Sequence, residues 1–320
     1  MTALKRLVIL DLDNTLFDAL GRWASCTRAL VQDFAAANNL APDTIHKLIK
    51  EAHGQHRFND GAALVDAMIE ADPAIIEGQK NLSAEWQLAN RRVASNWHEN
   101  SSNMVWMYDG VIDSLKYWKK NGVKIIIETD CEVVAVHRNL YLLGKEAERR
   151  GQLEKAAHIA PLIDEIYCQP AIAESSIYFT DVDSGVRDIL SAKTHIWDDR
   201  HYKPHADHVA TILERANIPA GQAIYIGDSY KDGAEAASIF PQIDFIWAKY
   251  GAAVTSDTLD LYECVGSKSF TYGEDSVMAA MQERGIHPYI TLLTGLHDVL
   301  PHFTWGSRVT QVSEINPPRN

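Results

Sequence analysis

Short apolar runs alternate along this chain with longer stretches in which apolar residues recur at helical spacing. The first run extends from Leu7 to Leu10, consists of β-forming residues and ends at an aspartate. Four further runs follow at positions 123–127, 163–168, 223–226 and 243–247. Continuous apolar runs of this length are typical of parallel strands that are buried on both faces. Since helical stretches separate them, the pattern predicts an α/β fold with a doubly wound, Rossmann-like parallel sheet.

A segment of different character interrupts this alternation. Residues 19–100 show helical spacing, contain no β-rich run and are punctuated by Pro42, Gly54, Gly61 and Pro73. This pattern predicts an inserted unit of about four helices. The predicted organisation is an α/β core from residues 1–18 and 101–290, a helical insert at 19–100, and a poorly ordered C-terminal tail at 291–320. Residues 170–200 are predicted to be rich in loops, with room for one short helix.

The charge of the chain narrows the range of partners. The formal net charge is -13, and the pI is near 5.4. Affinity for nucleic acid depends mostly on Lys and Arg side chains that neutralise phosphates, so a nucleic acid is not an expected partner. A local positive site on an acidic protein still accommodates a small phosphorylated metabolite. The sequence does not indicate an oligomeric state.

The cysteines and the hydropathy bear on location. The four cysteines are scattered without metal-binding spacing, which is typical of reduced thiols in a cytoplasmic protein. The N-terminus turns acidic after one short apolar run and lacks the features of a signal peptide. No window reaches 18 apolar residues, so we expect neither a membrane span nor a membrane partner. The expected location is cytoplasmic.

Polar residues follow several of the predicted strands at their carboxyl ends. The first strand is followed by the sequence DLDNT at residues 11–15, the second by Thr129 and Asp130, and the fourth by GDSYKD at residues 227–232. Lys203 precedes the helix that leads to the fourth strand. Ligands of open α/β sheets bind beyond the carboxyl ends of the strands, so these groups are predicted to converge at one edge.

Such a set of side chains suits phosphoryl transfer. Clustered carboxylates repel one another, and a hard, oxygen-liganded cation such as Mg²⁺ stabilises them and binds a substrate phosphate as well. One carboxylate can then attack phosphorus, and a second acid two residues further on can protonate the leaving oxygen. The Thr129 hydroxyl can donate to a phosphoryl oxygen, and Lys203 adds positive charge beside the nucleophile.

These motifs resemble, in the same order, the four motifs of the haloacid dehalogenase (HAD) superfamily. The resemblance covers about residues 5–18 and 105–250 and rests on DLDNT, Thr129 after an apolar strand, Lys203-Pro204 and GDSYKD. The predicted helical insert between the first two motifs resembles the C1 cap of that family. An acid at Asp13 is similar to the phosphatases of the family and differs from its dehalogenases. The resemblance implies a magnesium-dependent phosphatase that hydrolyses a small phosphate monoester through an aspartyl-phosphate.

The resemblance also implies roles for individual residues in the two N-terminal motifs. Asp11 would be the nucleophile and a metal ligand. Asp13 would be the general acid and base, and its backbone carbonyl would be a metal ligand. Thr129 would bind the phosphate, assisted by the backbone amide of Asp130.

The two C-terminal motifs supply the remaining implied roles. Lys203 would stabilise Asp11 and the phosphate, Asp228 would bind the metal directly, and Asp232 would support the metal. The stretch from Thr129 to Lys203 is longer than is usual in capped members of the family, so Lys193 is the alternative for the catalytic lysine. His205 stands where the family often has a small residue.

Structural interpretations of the same residues remain open. Aspartates at strand ends are common turn formers and helix caps, Asp232 and Thr129 can each cap a helix, and a lone lysine is commonly solvated. In the predicted cap, Arg57 is the candidate for a substrate contact, and a polar loop between helices is the alternative. The polar run that includes His205 and His208 has no recognised zinc spacing and is interpreted as an exposed loop.

Two other functions compete with the phosphatase. One is a phosphotransferase or mutase of the same fold, in which the acceptor is not water. The other is a HAD-like binding or regulatory module, which is typically marked by the loss of a catalytic aspartate. No catalytic aspartate is missing from these motifs. The physiological substrate is not indicated by the sequence.

Overall fold

A computed structural model describes residues 4–41, 105–171, 182–197, 202–239, 242–253 and 274–306, together with a few single positions between them. The described α-helices are α1 (Ala19–Asn38), α2 (Val111–Lys120), α3 (Val133–Arg149), α4 (Ser184–Ser191), α5 (Ala206–Ala216), α6 (Tyr230–Ala237), α7 (Lys249–Ala252) and α8 (Glu274–Glu283). Short 3₁₀ helices lie at Ala156–Leu162, Ala220–Gln222 and Leu296–His302.

The strands form one large sheet and one small one. The strands are β1 (Leu4–Lys5), β2 (Leu7–Leu10), β3 (Lys124–Glu132), β4 (Glu165–Gln169), β5 (Thr194–Ile196), β6 (Ala223–Gly227), β7 (Asp244–Ala248), β8 (Ile290–Leu292) and β9 (Thr304–Trp305). The large sheet has the order β5-β4-β3-β2-β6-β7-β8, and all its pairings are parallel. The predicted doubly wound parallel sheet is therefore confirmed.

Strand β2 lies at the centre of the large sheet, between β3 and β6. All four of its residues are fully buried. Leu7 and Ile9 belong to one apolar core, and Val8 and Leu10 belong to the other. Successive residues of a strand point to opposite faces, so both faces of the sheet are covered. This burial explains why the sequence of β2 is uniformly apolar rather than alternating.

The topology places a crevice at the end of β2. After β2 the chain continues outward through β3, β4 and β5, and it then returns to the other side of β2 through β6. Leu10 is level with Ile127 on one neighbouring strand and with Ile226 on the other. The residues that follow these three strands therefore meet at one edge of the sheet, at the point where the strand order reverses.

Helix α1 begins the predicted insert. The Asp18 carboxylate accepts a hydrogen bond of 2.6 Å from the Gly21 amide and caps the helix. The helix ends at Asn38 and is capped by Asn39, which has a φ of +52°. Most of the remaining insert, residues 50–92 among it, lies outside the described residues, so the cap as a unit stays a prediction. Among the described residues, no helix is long and apolar enough to cross a membrane.

The C-terminal part of the fold differs from the expected tail at 291–320. Strand β8 extends the large sheet next to β7, and β9 pairs with β1. Trp305 packs against the fully buried Trp118 of α2, with a distance of 5.4 Å between the ring centroids. The core therefore continues to residue 306, because these short segments find their partners at sheet edges far away in sequence.

Candidate active site

Asp11 directly follows β2 at the reversal point of the sheet. Its backbone amide donates to the Ile226 carbonyl at 2.9 Å, so the chain is still hydrogen-bonded to β6 directly after β2 ends. A tight turn follows, in which Asn14 has a φ of +57°, a region that asparagine tolerates better than most residues. The Asn14 side chain accepts a hydrogen bond of 3.0 Å from the Leu20 amide. The turn is therefore tied to the start of α1.

The Lys203 ammonium lies against Asp11 inside the protein. Lys203 is only 5% exposed. Its Nζ donates to Asp11 Oδ1 at 2.7 Å, to Asp232 Oδ1 at 2.9 Å and to the Glu128 carbonyl at 2.9 Å. Lysine is rarely buried without partners, so these anionic contacts explain its position. Burial alone would lower the pKa of Lys203, but Asp11, Asp232 and Glu128 outweigh burial and raise it well above its usual value.

Lys193, the alternative lysine, lies elsewhere. Its ammonium donates to the backbone carbonyls of Ala160 and Ile163, at 2.9 and 2.6 Å. These carbonyls lie in and directly after the 3₁₀ helix at Ala156–Leu162. Of the two candidate lysines, the structure brings Lys203 to Asp11.

The GDSYKD motif turns from β6 into α6. Asp228 follows the strand and is 7% exposed. Asp232 Oδ2 accepts hydrogen bonds from the Ser229 amide at 3.0 Å and from the Ser229 hydroxyl at 2.7 Å. The Asp232 amide in turn donates to Ser229 Oγ at 3.4 Å, which completes a capping box at the start of α6. Its other oxygen accepts from Lys203. Asp232 thus both caps the helix and holds the lysine.

Thr129 and Asp130 lie near the end of β3. Thr129 is 2% exposed, and its hydroxyl oxygen accepts from the Cys131 amide at 3.2 Å. Glu132, not Thr129, occupies the cap position of the following helix. The Asp130 carboxylate accepts a hydrogen bond of 2.8 Å from the Lys203 backbone amide and so fastens the lysine-bearing loop to β3.

Asp13 contacts a cysteine that the sequence did not single out. The Cys131 thiol donates to Asp13 Oδ2 at 2.9 Å. Burial and the nearby Asp13 carboxylate raise the pKa of Cys131, so this residue is a neutral thiol. The other oxygen of Asp13, Oδ1, is buried and has no hydrogen-bond partner among the described residues.

The electrostatics of the site fit a hard divalent cation. Burial raises the pKa of Asp11, Asp232 and Asp228 raise it further, and Lys203 opposes them. Burial and Asp232 likewise raise the pKa of Asp228. Asp11, Asp228 and Asp232 each offer an oxygen, and these oxygens lie within 4.8 Å of one another. One ammonium does not balance three carboxylates, and an all-oxygen donor set suits Mg²⁺.

Glu128 and His208 also belong to the surroundings of Lys203, although the sequence analysis did not place them there. Glu128 is fully buried in β3, immediately before Thr129. His208 is 3% exposed on α5, so its interpretation as part of an exposed loop is wrong. The sequence contained a signal of this burial, because His208 shares an apolar helix face with Ile212, four residues further on. Arg57 lies outside the described residues.

Comparisons with known proteins agree on the kind of protein. A family model described as haloacid dehalogenase-like hydrolase matches residues 5–239. The chain is 25% identical over 242 residues to a phosphoglycolate phosphatase of Pseudomonas fluorescens, a match that covers 74% of this chain and 68% of that protein.

Two solved structures are similar over most of the chain. A predicted phosphoglycolate phosphatase of Haemophilus somnus is 15% identical, with a TM-score of 0.44, and the match covers 93% of this chain and 97% of that one. A putative HAD-hydrolase of Bacillus subtilis bound to magnesium is 13% identical, with a TM-score of 0.45 and the same coverage. Because both TM-scores are low, the assignment of this chain to a family depends on the family model and not on these two structures.

Proposed function

Because this chain belongs to the haloacid dehalogenase-like hydrolases, we propose that it is a magnesium-dependent phosphatase of small phosphate monoesters that acts through an aspartyl-phosphate. The observation that carries the proposal is the buried contact of 2.7 Å between Lys203 Nζ and Asp11 Oδ1, at the point where the strand order reverses. A nucleophilic carboxylate beside a fixed positive charge is what phosphoryl transfer requires.

In the first step, the Asp11 carboxylate attacks phosphorus and forms a P–O bond while the bond to the leaving oxygen breaks. Asp13 gives a proton to that oxygen, for which its buried Oδ1 has no competing partner among the described residues. The Lys203 ammonium and the Thr129 hydroxyl donate to the phosphoryl oxygens. In the second step, Asp13 takes a proton from water, whose oxygen attacks phosphorus while the P–O bond to Asp11 breaks, so that inorganic phosphate is released and the Asp11 carboxylate is restored.

Mg²⁺, when bound, would neutralise negative charge on the phosphate and on the acidic cluster. Asp11, Asp228 and the backbone carbonyl of Asp13 would hold it. Asp232 would support the cation without binding it directly, since both of its oxygens already accept hydrogen bonds from Lys203 and Ser229.

The test is a panel of phosphate monoesters with Mg²⁺, with release of inorganic phosphate as the readout. Phosphoglycolate is the first substrate to try, because the Pseudomonas fluorescens relative carries the name of that phosphatase. The wild type should release phosphate from at least one small monoester. Asp11→Asn should remain folded by circular dichroism and release none, because an amide is not an anionic nucleophile.

The same assay separates hydrolysis from transfer. Stoichiometric release of phosphate without an added acceptor supports the phosphatase. Consumption of the monoester only in the presence of an alcohol acceptor, with the phosphoryl group found on the acceptor and no inorganic phosphate released, would make the enzyme a phosphotransferase. No turnover of any monoester, or full turnover by Asp11→Asn, would overturn the proposal.

A further inference from the structure

Lys203 also contacts a second buried cluster of ionisable side chains. The cluster consists of Glu128 on β3, His208 on α5 and Glu235 on α6. Glu128 and Glu235 are fully buried, and His208 is 3% exposed. None of them belongs to the four motifs of the sequence analysis, and the proposed reaction uses none of them.

The contacts form a continuous chain that ends at the nucleophile. Glu235 Oε1 lies 3.0 Å from His208 Nδ1, and this nitrogen lies 3.3 Å from Glu128 Oε1. The other oxygen of Glu128 lies 3.0 Å from Lys203 Nζ. Lys203 in turn donates to Asp11. One strand, β3, and two helices, α5 and α6, are thus linked to the attacking carboxylate through side-chain contacts alone.

Further contacts hold the members of the cluster in place. The Tyr225 hydroxyl donates a short hydrogen bond to Glu128 Oε2, the same oxygen that faces Lys203. The Trp197 ring stacks on His208, with 4.0 Å between the ring centroids and an angle of 2° between the planes. Glu128 and His208 are therefore each held by a neighbour outside the cluster.

Core packing alone does not explain these residue types. Burying a carboxylate costs several kcal/mol unless a cation and hydrogen bonds offset the cost, and apolar residues of similar volume are commonly at least as stabilising. Burial alone would lower the pKa of His208, but its contacts with Glu128 and Glu235 outweigh burial and raise it to about 9. At neutral pH the histidine is therefore a cation between two carboxyl groups.

The proposed reaction changes the charge beside Lys203. When Asp11 becomes an aspartyl-phosphate, its carboxylate charge is lost and the negative charge lies on the phosphoryl oxygens, to which Lys203 would donate. Asp232 belongs to the candidate cation site. Glu128 is therefore the carboxylate contact of the Lys203 ammonium, among the described residues, that takes no part in attack or in the candidate cation site.

We propose that Glu128 is a positioning residue that holds the Lys203 ammonium at Asp11, and that His208 and Glu235 hold Glu128 in that orientation. The inference rests on the proposed phosphatase function. It predicts that the three cluster residues act on the reaction only through Lys203, and that their effects on kcat are coupled rather than independent.

The central experiment is a double-mutant cycle in kcat with Glu128→Gln and His208→Gln. Glu128→Gln keeps the shape of the side chain and should lower kcat roughly 10- to 100-fold, the range typical of groups that orient a functional ligand. His208→Gln should lower kcat in the same direction. The double variant should be no slower than Glu128→Gln alone, because the effect of His208 passes through Glu128. A purely structural role would give losses that multiply.

His137→Gln is the matched control. His137 is 2% exposed on α3, and its Nε2 forms a hydrogen bond of 2.9 Å with the Thr194 hydroxyl, away from the cluster. The control should reduce the free energy of unfolding without lowering kcat. If Glu128→Gln does not fold by circular dichroism, Tyr225→Phe tests the same point, because it removes the hydroxyl that donates to Glu128.

The outcomes separate this inference from the proposed function. If the wild type is an active phosphatase and Glu128→Gln has the same kcat, the positioning role alone is overturned. Multiplicative losses in the cycle would overturn it as well. A metal ion that survives dialysis against chelator in the wild type, and is lost with His208→Gln, would make the cluster a metal site and overturn the inference. A wild type without activity on any monoester would overturn the function and the positioning role together.

Discussion

Replacing Lys203 by methionine tests the electrostatic reasoning most directly. The change keeps a long, flexible side chain and removes the ammonium that lies 2.7 Å from Asp11, 2.9 Å from Asp232 and 3.0 Å from Glu128. With an effective dielectric constant of about 20, the contact with Asp11 corresponds to roughly 6 kcal/mol of gross Coulomb attraction. Desolvation of the two charges offsets much of this attraction, so the net contribution of the ion pair to stability is smaller than this gross Coulomb energy.

The net cost is that of a broken buried ion pair. Removing one partner of such a pair typically destabilises a protein by about 3 to 5 kcal/mol, because the other charge stays buried without compensation. We therefore expect Lys203→Met to lower the free energy of unfolding by about 3 to 5 kcal/mol at pH 8. The loss should shrink as the pH falls, because the carboxyl groups, Asp11 among them, take up protons and the repulsion disappears. We expect kcat to fall about 10²- to 10³-fold.

Urea denaturation followed by circular dichroism, at several pH values, measures the free energy of unfolding, and the phosphate-release assay measures kcat. Lys193→Met is the control, because that ammonium donates to the backbone carbonyls of Ala160 and Ile163 and not to Asp11, so its removal should leave kcat unchanged. A Lys203→Met variant with a free energy of unfolding within about 1 kcal/mol of the wild type and with full kcat would refute the reasoning.

Three further predictions follow from other parts of the structure. Excess chelator should abolish phosphate release and added Mg²⁺ should restore it, since three carboxylates face one ammonium at the site; full turnover in chelator would contradict this expectation. Gly251→Ala should lower kcat, because an added Cβ would lie 1.7 Å from the Asn14 carbonyl oxygen and would displace the turn after Asp11; the kinetic assay of a folded variant checks this. His208 has a pKa of about 9 in the folded protein, against 6.5 for the free side chain, so its stabilisation is fully present below pH 6.5 and is lost as the pH rises through 9. With about 1.4 kcal/mol per pKa unit, the loss amounts to about 3 kcal/mol, and pH-dependent urea denaturation of the wild type should show it while His208→Gln should not.

The local pattern of the sequence determined the positions of the central strands and the order of the motifs. Leu7–Leu10 and Ala223–Gly227 are apolar because both of their faces are buried, and this requirement is visible in each segment by itself. The polar residues after these strands could be assigned to one edge because parallel strands end on the same side. The predicted sheet and the family were therefore accessible before any tertiary contact was known.

Only the tertiary structure decided which distant side chains meet. The sequence favoured Lys203 because of the Lys203-Pro204 motif and kept Lys193 as the alternative. The chain path decided between them, since the Lys193 ammonium contacts backbone carbonyls and the Lys203 ammonium contacts Asp11. Strand β9 is two residues long and has no readable pattern, yet it pairs with β1 from the other end of the chain. His208 and Glu235 are polar residues whose burial depends on partners contributed by other elements. A buried polar side chain loses its contacts with water and needs a partner to offset that loss. Here the partner comes from a distant part of the chain, so the local sequence pattern does not show it.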